Sequence, residues 1–189
     1  MESIDVKKIS DEDLVRKIVE KNDTHLFAVL YDRYAGVVYN KCYGFSKSKE
    51  EAQDLTHDVF IRLFVKLRTF KGKSKFSTWL YSFTYNFCVN YVQRNKEKKK
   101  EKVTVVTDEI REESSIDDID DATLFELKSD KLAKALEMIS PSEKMILLMK
   151  YQDEMSIKDI SIGLDLGESA VKMRLKRAKE KVVKAYNEL

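Results

Sequence analysis

Helix-start signals recur along the chain, a hydroxyl side chain three residues ahead of a carboxylate: Ser10 and Asp13, Ser48 and Glu51, Thr123 and Glu126, Ser140 and Glu143, Ser156 and Asp159. Each pair is spaced to satisfy the exposed backbone N–H groups of a first helical turn. Pro141 follows the fourth of these caps, at the position where a missing N–H costs nothing. It is the only proline in 189 residues, and there are only five glycines. A sandwich or barrel needs many more turn formers. The chain is therefore expected to be all-α.

Apolar spacing between the caps is helical. Phe27, Leu30, Tyr31, Tyr34 and Val38 form one stripe, and Ala52, Leu55, Val59, Leu63 and Leu67 form another. Leu132, Ala135, Leu136 and Ile139 form a third, followed by Met145, Leu148 and Met149. The spacing predicts helices over 11–21, 24–43, 48–70, 77–98, 124–139, 142–153, 157–163 and 168–186.

Net charge is +2, but residues 108–121, DEIREESSIDDIDD, hold eight acids and one base, which leaves +9 for the remainder. This stretch has no apolar period and reads as a flexible acidic linker. Two small helical domains are expected, over 1–102 and 124–189, joined by residues 103–123. No apolar run approaches the roughly 20 residues of a membrane span. The N-terminus lacks the apolar core and small-residue cleavage site of a secretory signal. A cytoplasmic protein is expected, with Cys42 and Cys88 as reduced thiols in helical patterns.

Residues 75–96, KFSTWLYSFTYNFCVNYVQRNK, carry seven aromatic rings on one helix. On a helical wheel Phe76, Leu80, Phe83, Phe87 and Tyr91 share a side, with Trp79 at its margin. That is an ordinary core face. Tyr81, Tyr85, Cys88 and Val92 fall on another side. Either the domain buries both sides, or one is kept for a ligand. Lys71 and Lys73 precede the helix and Lys98, Lys99 and Lys100 follow it. Rings framed by cations suit nucleic acid, whose bases stack while its phosphates are neutralised.

The C-terminal stretch SIKDISIGLDLGESAVKMRLKRAKEKVVKAY reads as a helix-turn-helix. Ile157, Ile160 and Leu164 give the first helix a buried side, and Leu166 anchors the turn. Val171, Leu175, Ala178 and Val182 do the same for the second helix, whose opposite side shows Ser169, Lys172, Met173, Lys176 and Arg177. Seven bases and one acid, Glu180, lie between Val171 and Lys184. A duplex major groove accepts such a helix and its phosphates offset the charge.

Three blocks, EEAQDLTHDVFIRLFVKL, FKGKSKFSTWLYSFTYNFCVNYVQR and SIKDISIGLDLGESAVKMRLKRA, occur in an order that resembles bacterial RNA polymerase sigma factors of the extracytoplasmic-function type. The resemblance covers about residues 23–100 and 124–184. It implies a transcription initiation factor, not an enzyme, that binds core polymerase and promoter DNA and needs no cofactor or metal. It implies polymerase docking, on the clamp helices of the largest subunit, through Asp54, His57, Asp58 and Arg62. It implies minus-ten recognition and melting through Phe70, Lys71, Lys73, Ser74, Lys75, Phe76, Thr78, Trp79, Asn86, Asn90 and Arg94. It implies minus-thirty-five recognition through Ser169, Lys172, Met173, Lys176 and Arg177. The polymerase flap and an anti-sigma protein are further implied partners. This chain departs from the family pattern at His57, where a Gln is usual, and at Asp165, where a turn Gly is usual. Asp tolerates left-handed backbone better than most residues.

Two other readings compete. A two-domain helix-turn-helix regulator would bind duplex DNA without melting it. A metal phosphohydrolase would use the dipeptide His57-Asp58 with His25, the other histidine of the chain.

Overall fold

The computed structural model describes residues 9–100 and 127–189, and among them every regular element is helical. Ser10 accepts a hydrogen bond from the Asp13 N–H and opens α1 (Asp11–Lys21), which ends at left-handed Asn22. Asp23 then caps α2 (Thr24–Tyr43), accepting from the N–H groups of His25 and Leu26. Ser48 opens α3 (Lys49–Lys66). The expected helix 48–70 tightens to a 3-10 turn at Leu67–Thr69, closed by the Phe70 N–H bonding to the Leu67 carbonyl.

A six-residue loop leads into α4 (Phe76–Lys100). This helix borrows its N-terminal partner from far away in sequence. The Phe76 N–H donates to the Glu12 carboxylate of α1 at 2.9 Å. A carboxylate there also meets the positive end of the helix dipole.

The C-terminal helices are α5 (Ser129–Met138), α6 (Pro141–Leu147), α7 (Ile157–Leu164) and α8 (Glu168–Asn187). Ser140 and Glu143 form a reciprocal capping box at α6. The expected helix 142–153 opens after Leu147 into a π turn, Leu148–Gln152, in which the Asp153 N–H reaches back five residues to the Leu148 carbonyl. The cap expected at Thr123 and the acidic stretch 108–121 lie outside the described residues.

The chain divides into two compact units, Met1–Cys88 and Val89–Leu189, with the division inside α4. A single unbroken helix runs through the dividing point, with no turn residue to mark it in sequence. In the first unit α2 packs against α1 and α3, and Leu14, Leu30, Val38, Val59, Leu63 and Leu80 are wholly buried. All five residues of the α3 stripe, Ala52, Leu55, Val59, Leu63 and Leu67, face this core. In the second unit α8 packs against α5, α6 and α7, burying Val171, Leu175, Ala178 and Val182. Burying such side chains contributes roughly 1.5–3 kcal/mol each, and most of the stability of short helices comes from it.

Candidate nucleic-acid interface

Burial of one side of α3 leaves a continuous outer side. Asp54, His57 and Asp58 are exposed there, and so is Arg62. Ile61 and Val65 lie between and beyond these charges at 66% and 57% exposure. Their one-turn spacing makes an apolar strip inside a charged frame. The signal was present in the sequence, because both fall out of phase with the buried stripe. Arg62 also holds its guanidinium 5.0 Å from the centre of the Phe87 ring on α4.

The loop between the 3-10 turn and α4 presents Lys71, Lys73 and Lys75 to solvent. Gly72 takes φ +67 with open space around it, a conformation that disfavours side chains. Phe70 anchors the loop against Phe76 and Trp79, with ring centres 5.4 and 5.5 Å away. Trp79 in turn stacks on Phe83 at 5.6 Å. Ser74, Thr78 and Trp79 are half-buried. Phe76 is fully buried, packed edge-on against Tyr34 of α2. The resemblance set Phe76 among the minus-ten residues, and here its ring lies on the core side, beneath the loop.

Farther along α4, Asn86, Asn90 and Arg94 are exposed at four-residue steps and line one side of the helix. The ring sides also differ from expectation. Tyr85 and Cys88 are completely buried, whereas Phe83, Phe87 and Tyr91 remain half-exposed. The cation met by the Tyr81 and Tyr85 rings is the chain's own Lys41, whose ammonium sits 4.1 and 4.8 Å from their centres. Lys41 is itself buried, on α2. Sequence spacing assigns residues to sides of a helix but does not say which side the rest of the domain covers.

In the second unit the turn between α7 and α8 is built as the helix-turn-helix pattern requires. Asp165 adopts φ 53 and ψ 49, the left-handed conformation expected of it. The Leu166 N–H bonds to the Ser161 carbonyl, and the Ser161 hydroxyl bonds to the Leu166 carbonyl. Gly167 occupies the cap of α8 without a side chain. Ser169, Lys172, Met173 and Arg177 are exposed and Lys176 is half-buried. An open groove of about 460 Å³ is lined by Ser169, Lys172, Met173 and Lys176, but not by Arg177. Lys150 and Tyr151 of the π turn, and Lys179 of α8, line it as well. Sequence reasoning missed these three because they lie off the helix-turn-helix or off its outward side.

His25 and His57 are both exposed, at the start of α2 and in the middle of α3. Among the described residues no group of three or more His, Cys, Asp or Glu is arranged to hold a metal ion. No helix among them is long and apolar enough to cross a membrane.

The sigma-70 region 2 profile matches residues 30–98, and the sigma-70 region 4 profile matches residues 129–182. The ECF RNA polymerase sigma factor SigW of Bacillus subtilis is 28% identical over 178 residues, covering 92% of this chain and 95% of that protein. The chain belongs to the extracytoplasmic-function group of the sigma-70 family. This sigma factor is also similar to the RNA polymerase sigma-H factor of Pseudomonas aeruginosa, at 26% identity over 184 residues and 95% of each chain. Its fold is that of CnrH, solved with the cytosolic domain of CnrY, at TM-score 0.62, 16% identity and coverage of 95% of this chain and 99% of that one. RpoE of Bartonella quintana, solved with the anti-sigma factor NepR, superposes at TM-score 0.58 and 18% identity over 85% of this chain and 96% of that one. The region 2 match contains the α3 side, the lysine loop and most of α4, and the region 4 match contains the first three-quarters of α8. A DNA-binding initiation factor that directs RNA polymerase to specific promoters follows from these two regions.

Proposed function

We propose that this sigma factor docks on core polymerase through the outer side of α3, reads and opens the minus-ten element with the lysine loop and α4, and reads the minus-thirty-five element with α8. The single observation that carries the melting step is the loop at Phe70–Lys75. It combines three exposed lysines with a ring ladder, Phe70, Trp79 and Phe83, that is left half-covered. Flipping a base out of a duplex costs a few kcal/mol of lost stacking. Stacking on a protein ring returns roughly 1–3 kcal/mol per base, and nearby lysines hold the phosphates of the opened strand. The two terms nearly balance, so engagement of polymerase tips the equilibrium towards open DNA.

Asn86, Asn90 and Arg94 supply amide and guanidinium groups along the same helix, suited to base edges and phosphates. Asp54, His57, Asp58 and Arg62 with Ile61 and Val65 offer an apolar strip within charges, the composition of a protein interface. The clamp helices of the largest subunit are its proposed partner, with the flap as partner of the second unit. An anti-sigma protein is a further proposed partner, since CnrH was solved with the cytosolic domain of CnrY and RpoE with the anti-sigma factor NepR.

Permanganate footprinting of a cognate promoter tests the melting step. With holoenzyme, thymines of the minus-ten element become reactive. If they stay unreactive while the promoter is bound, the protein is a duplex-binding recruitment factor instead.

A further inference from the structure

Two thiols in the first unit take no part in these surfaces. Cys42 on α2 and Cys88 on α4, 46 residues apart in sequence, are both wholly buried. Their Sγ atoms lie 3.8 Å apart, with the Cys88 S–H directed at the Cys42 sulfur. A disulfide needs about 2.05 Å. The sulfurs are thus in van der Waals contact, and bonding requires them to close by about 1.8 Å.

We propose that Cys42 and Cys88 form an oxidative modification site, in which a peroxide converts the pair to an intramolecular disulfide that ties α2 to α4. The two sulfurs are not equivalent. The bond from Cys88 holds the Cys42 thiol below its ordinary value against the opposing effect of burial. The same bond, with burial, pushes Cys88 up. Because the Cys88 S–H points at the Cys42 sulfur, Cys42 is the acceptor of the pair and the sulfur that attacks. Its thiolate displaces hydroxide from the peroxide as the O–O bond breaks, giving a sulfenic acid, and the hydroxide leaves as water with the proton given up by Cys42. The Cys88 sulfur then attacks the Cys42 sulfur, the S–O bond breaks, and a second water departs with the Cys88 proton. Two thiols lose two hydrogens, and one hydrogen peroxide becomes two waters.

Burial sets the character of the site. Oxidant reaches the sulfurs only during local opening, so the reaction is slow compared with that of an exposed thiol. Contact between the two sulfurs favours the disulfide over further oxidation of either one. The product closes a long loop and restricts the unfolded chain. It also fixes α4 against α2 two residues beyond Asn86.

The test uses the reduced full chain, freed of reductant and treated with hydrogen peroxide. Intact-mass spectrometry is expected to show loss of two hydrogens. Digestion without reductant is expected to yield the Cys42 peptide joined to the Cys88 peptide. The melting temperature is expected to rise by several degrees and to return with dithiothreitol, and Cys42→Ala and Cys88→Ala to show neither change. Gain of oxygen at a single cysteine, disulfide-linked dimers, or an unchanged mass under conditions that oxidise the urea-unfolded chain would each overturn the proposal. None of these readouts depends on promoter activity.

Discussion

At the scale of single residues, burial ranks side chains that sequence alone could only sort to different sides of a helix. Tyr85 and Phe83 are both rings on α4, yet Tyr85 is fully buried and Phe83 only half so. Tyr85→Ala should therefore destabilise the first unit by about 3–5 kcal/mol, as for other large buried rings, read as a fall in urea midpoint. The same measurement on Trp79→Ala should show a smaller loss, because that ring is part-exposed. On α8, Lys172 and Arg177 are exposed, with long side chains directed away from the core. Each Ala substitution should weaken promoter binding by about 1–3 kcal/mol if it reads a base edge. Competition with DNA altered only in the upstream element decides this: equal loss on both duplexes identifies a phosphate contact.

Whole elements carry two further predictions. The outer side of α3 should tolerate charge without unfolding, since Ile61 and Val65 make no core. Ile61→Asp with Val65→Asp should leave the melting temperature nearly unchanged and weaken core polymerase binding at least about tenfold, or 1.4 kcal/mol. The start of α6 is a pH-sensitive tie to α8. Burial pulls the Glu143 carboxyl up, but the Lys181 ammonium and the Ser140 hydroxyl and N–H outweigh it, so the group lies below its ordinary value of 4.5. Lys181 Nζ stands 2.6 Å from the carboxylate. A depressed folded value means that the unfolded chain takes up the proton first as pH falls. The stabilisation is then complete above pH 4.5 and lost as pH drops through the lower folded value. Thermal melts should show wild type more stable than Glu143→Gln near neutrality, with the difference shrinking below pH 4.5.

For the whole molecule, charge is distributed so that one short acidic stretch opposes a basic remainder. The eight acids of 108–121 act in initiation if they follow a path that RNA phosphates would take, and do not if they form only a solvated tether. Replacing all eight with Ser and Asn should impair initiation or promoter escape while core binding changes little, as scored by abortive and full-length transcript yields. Four helix starts were legible because caps act locally. Ser10, Ser48, Ser140 and Ser156 cap the helices their spacing announced, and Asp165 turns left-handed where the motif needs it. Asp23, another cap, is missed by looking for hydroxyls alone. The exposed outer side of α3 was also readable, by subtraction from a clear apolar stripe. The two sides of α4 were not, because rings surround that helix and periodicity cannot rank them. Tertiary packing decided that Tyr85 joins the core beside Lys41, that Phe76 supports the loop from below, and that Glu12 caps a helix 64 residues away. It also brought Cys42 against Cys88. The sequence by itself determined which segments are helices and which kind of partner their charges invite, since hydrogen bonding to caps and apolar period act within a few residues. Which groups end up covered depends on what the chain places against them from a distance, and only the folded arrangement contains that.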